Sequence, residues 1–469
     1  MRSGLILRTY VVLCIGHVST KAVAFATAVL MGRTVGPAEM GLFATALTLT
    51  SLALVLVNGG SDLLAIRRVA TDPGEVPGAV SSVVSVRLTG AALIVGLVLL
   101  GARFFGPYQG LAIPLSLALL AYVFRFDWLL LVRDQPRWIT ASTVSREGAY
   151  LVLVVLLVSH AKSAVGAAWA FCIAEWIWSA MTLVAARTWQ YWSRLRPDWR
   201  AVPGALRAGW PIAAMALLNL TYNKIDTPMV AAIVGTHSAG VYWAAYSIIF
   251  GLMGFAAVLT RAAFPEMARD GVHGRVETSD QVLRFCALMS LVGCGLSVVL
   301  SHWSGKLMVA AYGDAFASGA PALSILGWCL WPAFGSGLLT HWLIARGRQV
   351  RVAGIALAAV LTNLALNCFM IPLLGIRGAA MTSVAAEACV LFGAAFWLRD
   401  VPGIAAFLGW QLWILGAGLL ATFGFESLLP ANPVSGPLAL AAYCVLCLPV
   451  LRGATRTFRL KPEALEGSW

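Results

Sequence analysis

GPAEMGLFATAL (36–47) and GTHSAGVYWAAY (235–246) share one pattern, G-x4-G-[LV]-[FY]-x-x-A, at an offset of 199 residues. A second pair, VGAAWAFCIAE (165–175) and RGAAMTSVAAE (377–387), shares G-A-A-x5-A-E at an offset of 212. Each match is short. The offsets are similar, and each pair falls at an equivalent place among the apolar segments described next. The chain therefore reads as an internal duplication.

The duplicated unit is built for a bilayer. Of 469 residues, 60% are hydrophobic and 11% charged, with a mean hydropathy of +0.84. A soluble domain carries roughly 25% charged residues. Composition thus argues against a soluble enzyme, a secreted disulfide scaffold and a disordered chain. A bilayer core needs about 20 apolar residues per helix. That rule predicts 14 spans, near 9–31, 38–62, 80–102, 107–132, 137–159, 163–186, 207–234, 238–262, 282–303, 317–345, 350–372, 376–397, 404–427 and 433–452. The runs are continuous rather than alternating, so helices are expected and not barrel strands. The first run holds His17 and Lys21 and continues to Gly32, too long and polar for a cleaved signal.

Charge placement orients the spans. With the N-terminus inside, 23 of the 33 Lys and Arg fall in inside segments. Five fall in outside loops (Arg33, Arg103, Lys162, Lys306, Arg377) and five within spans (Lys21, Arg87, Arg125, Arg146, Lys224). This bias predicts both termini in the cytoplasm. The net charge of +13 then records topology and contact with anionic lipid, not nucleic acid. The nine cysteines fall in apolar runs, which predicts no disulfide framework, and Cys444-x-x-Cys447 lies mid-span with no second pair to complete a zinc site.

An even-numbered repeat gives two lobes of like orientation, related by a pseudo-two-fold axis along the membrane normal, with a substrate site between them. The expected division is an N-lobe at 1–186 and a basic interfacial linker at 187–206 carrying Trp189, Trp192 and Trp199. A C-lobe follows at 207–397, then spans 13 and 14 at 398–453 and a cytoplasmic tail at 454–469. The fold class is all-α polytopic: two six-helix lobes plus two C-terminal helices.

Several stretches carry a family resemblance: MGRTVGPAEMGLFATAL (31–47), AIRRVATDP (65–73), NLTYNKIDTPMVAAIVGTHSAGVYWAAYSI (219–248), AFPEMAR (263–269), YGDAFASGAPALSIL (312–326) and NLALNCFMIPLLGIRGAAMTSVAAE (363–387). They cover both halves in order. The chain resembles the polysaccharide/oligosaccharide flippases of the multidrug/oligosaccharidyl-lipid/polysaccharide exporter superfamily. The resemblance implies a bacterial inner-membrane protein with no enzymatic activity and no cofactor. It implies a flippase that moves a polyprenyl-diphosphate-linked oligosaccharide to the outer leaflet by alternating access. Its expected partners are that lipid-linked oligosaccharide, membrane lipids and other polysaccharide assembly proteins, around a monomer. A cation-coupled multidrug antiporter of the same superfamily is the nearest alternative. A polysaccharide polymerase is disfavoured by the short outside loops, which carry little acid.

Polar residues within spans are candidates for function, because a charge at mid-bilayer costs about 2.5–3.5 kcal/mol. For the diphosphate or the cavity these are Lys21, Arg87, Arg125, Arg146 and Lys224. Lys21, near the midplane, either faces the cavity or pairs with Glu175. Arg125 and Asp127 share a depth with Arg146 and Glu147, which suits an ion-pair cluster or a headgroup contact. Arg87 either joins that cluster or snorkels to the interface. For ion coupling the candidates are Asn219, Asn223, Asp226, Asn363, Asn367, Glu175 and Glu387. The four asparagines share a depth and offer oxygens to Na⁺ or interhelical amide bonds. Glu175 and Glu387, equivalent in the repeat, suit proton coupling or helix packing. Trp328 and Trp331 suit packing better than sugar stacking.

Overall fold

The computed structural model describes residues 2–159, 162–188, 190–191, 198–271, 276–428 and 434–455; in 2–15, 17–18, 255–271 and 276–278 the backbone alone is described. The described chain is helical, with no strand. Its helices are α1 (Arg2–Asn58), α2 (Ser61–Thr71), α3 (Val76–Gly101), α4 (Gln109–Val123), α5 (Asp127–Val132), α6 (Pro136–Leu153), α7 (Ala164–Ala185), α8 (Val202–Lys224) and α9 (Asp226–Ile233). There follow α10 (Thr236–Gly271), α11 (Val276–Tyr312), α12 (Ala320–Gly327), α13 (Leu330–Ala345), α14 (Gln349–Leu374), α15 (Ile376–Trp397), α16 (Ile404–Leu428), α17 (Ser435–Leu446) and α18 (Leu448–Thr455). A π-helical turn, Val154–Val158, continues α6.

Sequence dictates the breaks. α1 is two helices that meet at Gly36 (φ 77°, ψ 175°). That left-handed backbone suits glycine, and Pro37 then starts the second limb with a ring that lacks an N–H. The stretch Ser19–Thr71 has 53 residues, about 80 Å at 1.5 Å per residue, so it holds two crossings of a 30 Å core.

Among the described residues, nine helices are long and apolar enough to cross a membrane, or up to eleven if each of two bent pairs is one span. The bent pairs are Asp314–Gly327 with Leu330–Ala345, and Ser435–Leu446 with Leu448–Thr455. This count does not reach the expected fourteen. Helix is present within every expected segment, but the count treats the two limbs of Ser19–Thr71 as one, and neither 236–271 nor 202–233 is included. The latter segment is broken at Ile225 and carries Arg207, Lys224 and Asp226. The outer faces of the helices suit lipid: Leu93, Leu97 and Leu100 of α3 and Phe369 and Leu373 of α14 are all more than 60% exposed. Such apolar patches are not left to water in a soluble monomer. None of the eight cysteines whose side chains are described is in a disulfide.

The chain forms two compact units, residues 1–247 with 311–316, and 248–310 with 317–469. The boundary falls inside α10 rather than at the linker, so residues 202–247 pack with the first unit. In the first unit, Arg33 Nε donates to the Ala311 carbonyl (2.7 Å), and the Ser247 and Tyr312 hydroxyls lie 2.5 Å apart. In the second, one apolar core joins α11, α13, α15, α16 and α17 around Trp331, Trp342, Phe407 and Tyr443. Trp331 is buried there, donating from Nε1 to Gln411 Oε1 (2.9 Å), which gives it a packing role. In the linker, Trp189, Trp192, Arg194 and Arg196 lie outside the described residues, as does the tail from 456 onward.

Candidate functional site

Lipid offers helices no hydrophobic drive to associate, so small residues and polar contacts decide where they touch. Two glycine contacts do so in the first unit. Gly41 of α1 lies against Gly240 of α10: a side chain on either would strike the other helix's backbone, the Thr236 carbonyl in one case and the Pro37 carbonyl in the other. Gly60, before α2, lies against Gly209 of α8 in the same backbone-to-backbone manner. The first contact is at the end expected outside, the second at the end expected inside. Of the charged candidates, Lys21 lies on α1 and Lys224 on α8, while Arg87, Arg125, Arg146 and Glu175 lie elsewhere in the first unit.

Arg87 anchors the inner part of this region. Its side chain is 1% exposed. The last carbonyls of a helix have no intrahelical partner, and Arg87 Nη1 donates to one of them at the end of α4, Tyr122 O (3.0 Å), and to Arg125 O just beyond it (2.5 Å). Its Nη2 pairs with Asp62, and its guanidinium lies 4.3 Å from the Tyr122 ring centre. Arg87 therefore does not snorkel; it closes a helix end.

Beyond it runs an alternating chain of charges. Arg125 Nε pairs with Asp127 Oδ2 (3.0 Å), and its Nη1 is 3.6 Å from Glu175 Oε2. Glu175 Oε1 accepts from Arg146 Nε (3.1 Å) and Nη2 (2.8 Å), and Arg146 Nη1 donates to Glu147. Aromatic faces hold the arginines. Arg125 lies 4.2 Å from the Tyr122 ring and 4.0 Å from the Trp178 ring. Arg146 is more loosely placed, 5.2 Å from Phe171 and 5.6 Å from Trp178. Such cation–π contacts strengthen when desolvated. The expected cluster of Arg125, Asp127, Arg146 and Glu147 is thus present, with Glu175 as its central member.

Lys21 of α1 and Arg146 both lie within electrostatic range of Lys224 at the end of α8. The structure therefore gathers four of the five cationic candidates, Lys21, Arg125, Arg146 and Lys224, into one region with Asp127, Glu147 and Glu175. Four positive charges thus stand among three negative ones in this part of the first unit.

The ion-coupling candidates are not gathered in this way. Asp226 accepts from the Tyr242 hydroxyl (2.9 Å), and Asn223 Nδ2 donates to the Asn219 carbonyl (2.7 Å), both in the first unit. In the second unit Asn367 Nδ2 donates to Asn363 Oδ1 (3.0 Å), and the Thr382 hydroxyl donates to Asn367 Oδ1 (2.5 Å). Glu387, half-buried on α15, has a polar or electrostatic contact of its own. Among the described residues, no group of three His, Cys, Asp or Glu could hold a metal ion. Sequence reading passed over Asp62, Tyr122 and Trp178. An aspartate at the final position of an apolar span was the available signal for Asp62; nothing in the sequence marks the two rings.

Residues 6–269 match the family model described as polysaccharide biosynthesis protein. No curated protein matches the chain. Among solved structures, the lipid II flippase MurJ in an inward closed conformation aligns at a TM-score of 0.75 and 13% identity, over 95% of this chain and 100% of that one. An inward-facing multidrug resistance MATE family transporter of the MOP superfamily aligns at 0.61 and 15%, over 84% and 96%. An outward-facing multidrug resistance MATE family transporter of the MOP superfamily aligns at 0.55 and 16%, over 86% and 96%. At these identities the likeness is one of fold.

Proposed function

The chain belongs to the polysaccharide biosynthesis protein family, and from that premise we propose that it is a flippase for a glycan carried on a polyprenyl diphosphate. It is a multi-pass membrane protein whose family and fold are those of flippases and transporters rather than of catalytic enzymes. In this reading the lipid-linked glycan enters from the cytoplasmic leaflet and leaves in the outer leaflet of the bacterial inner membrane, with both termini cytoplasmic. The partners are the carrier lipid and the enzymes that make and use the glycan.

One observation supports the substrate class: Lys21 and Arg146 both lie within electrostatic range of Lys224 in the first unit, so that four cationic candidates stand among three carboxylates. A diphosphate is the anion that such a region favours. Lysine suits it as a point charge on a flexible stem, and arginine as a two-pronged donor. The same excess repels the cationic compounds that a drug antiporter would carry, which ranks that alternative second. Coupling to a proton through Glu175 or Glu387 belongs to the proposal as its energy source, with Na⁺ as the alternative.

The test is deletion in the native host, with lipid-linked glycan measured in the inner leaflet. Accumulation is expected, with rescue by wild type and not by Lys21→Ala/Lys224→Ala. Intact surface glycan together with new sensitivity to cationic dyes would instead identify an antiporter.

A further inference from the structure

We propose that Glu175 is a latch: its carboxylate holds Arg146 until a diphosphate arrives, then yields Arg146 and moves onto Arg125. This inference rests on the diphosphate reading above and gives one residue a defined part in it.

The two oxygens of Glu175 are unequally served. Oε1 accepts two bonds from the Arg146 fork, at 3.1 and 2.8 Å. Oε2 is buried, has no hydrogen-bond partner and stops 3.6 Å from Arg125 Nη1. The side chain is 4% exposed, so solvent does not make up the deficit. A buried acceptor left without a donor is unfavourable. A side-chain rotation that carries the carboxylate towards Arg125 closes this gap to an ordinary charge-assisted distance.

The two arginines differ in the way a latch requires. Arg125 is fixed between the faces of Tyr122 and Trp178 and tied to Asp127. It can receive the carboxylate without moving. Arg146 is less confined by rings, and its remaining partner is Glu147. The edge that Glu175 occupies, Nε with Nη2, is the edge that grips two oxygens of a phosphate. Glu175 therefore stands where the phosphate would go. Moving it to Arg125 frees that edge and satisfies the orphaned oxygen in one step. The reverse move expels the anion, so that binding does not become trapping.

The full-length protein in lipid nanodiscs tests this with inorganic pyrophosphate, titrated calorimetrically. Wild type is expected to bind, and Arg146→Gln to bind roughly tenfold or more weakly. Glu175→Gln removes the competing carboxylate and should tighten binding roughly tenfold. Arg125→Lys keeps the charge but loses the planar fork that receives Glu175, and should weaken binding several-fold. In the Glu175→Gln background Arg125→Lys should have no further effect, because no carboxylate remains to be received. Equal affinity of Arg125→Lys and wild type, or independent effects of the two substitutions, overturns the latch while leaving the diphosphate site standing. Wild type and Arg146→Gln binding alike would remove the site itself, and the latch with it. Should Glu175→Gln not fold, the charge-conserving Arg125→Lys decides alone. The same order of affinities must recur with a sugar-free polyprenyl diphosphate in the disc. An order seen with pyrophosphate only would assign the site to free anions and end its part in lipid transport.

Discussion

Gly41 and Gly240, equivalent positions of the two repeats, lie backbone to backbone with reciprocal geometry. A Cβ on Gly41 would stand 2.7 Å from Gly240 N, and one on Gly240 would stand 2.8 Å from Gly41 N. The further obstacles are also equivalent, since Thr236 follows Gly235 as Pro37 follows Gly36. The two copies of the motif thus meet in the same way from both sides. In lipid, where close backbone approach replaces the hydrophobic drive, the motif is retained because only glycine allows this contact.

Gly41→Ala and Gly240→Ala are therefore expected to act alike. Each places a methyl group into backbone, an overpacking that costs about 1–3 kcal/mol. Each should hold the outer ends of α1 and α10 apart and slow flipping of a fluorescent polyprenyl diphosphate in proteoliposomes. The double variant should be little worse than either single one, because one methyl already opens the contact. Gly96→Ala, where nothing lies within 4 Å, is the control. Normal flipping by both single variants would show that the contact does not bear on transport.

The asparagine pair of α14 predicts a response to ions. Asn363 Oδ1 and Asn367 Oδ1 already accept from the Asn367 amide and the Thr382 hydroxyl. A sodium ion bound there must share each oxygen with a donor already in place. Thermal unfolding in detergent is therefore expected at the same temperature in sodium and potassium salts. Asn367→Ala should lower it, since interhelical bonds of this kind contribute about 0.6–2 kcal/mol in membranes. A rise specific to sodium, lost in Asn367→Ala, would establish the ion site instead.

Much of the fold was legible because the bilayer imposes one rule on every span, about 20 apolar residues, and the stretches found by that rule are helical. Gly36 and Gly235 marked their turns through the motif, and both have positive φ. The charges were legible as residues but not as partners. Arg125, Asp127, Arg146 and Glu147 could be matched by depth, since a short hairpin joins them. Lys21 and Lys224 could not, because their meeting depends on how the first and seventh segments pack. Asp62 was missed for a different reason: at a span's last position it reads as interfacial, until a buried arginine one helix away requires an anion.

Outside the spans, Asp400 and Arg348 give a pH dependence of known sign. The Arg348 fork donates to both Asp400 oxygens (2.9 and 2.5 Å) and holds the carboxyl down to about 2. The unfolded value is near 3.9. A carboxyl depressed by folding contributes stability above the unfolded value and loses it as pH falls through the folded one. The contact between the α13–α14 turn and the end of α15 should weaken between about pH 4 and pH 2. The pair is exposed and screened, so the effect at neutral pH is under about 1 kcal/mol. Amide exchange of residues 398–403 measures it. Asp400→Asn should remove the acid-dependent step; a step of unchanged size in that variant would place its origin elsewhere.

Arg87, a substrate candidate by sequence, is predicted to be a structural residue. Its charge is spent on Asp62, and its Nη1 donors on the Tyr122 and Arg125 carbonyls at the end of α4. Removing one partner of a buried pair costs about 3–5 kcal/mol, because the other charge is left uncompensated. Arg87→Ala should lose folded protein, seen as a fall in monodisperse yield. The double variant Arg87→Met/Asp62→Asn removes both charges and should recover part of that yield. Arg87→Lys keeps the charge but cannot serve both carbonyls and the carboxylate, so it should fall between. In whatever folded fraction remains, pyrophosphate affinity should stay within about twofold of wild type, in contrast to Arg146→Gln. A well-folded Arg87→Ala protein that fails to bind pyrophosphate would return Arg87 to the substrate site.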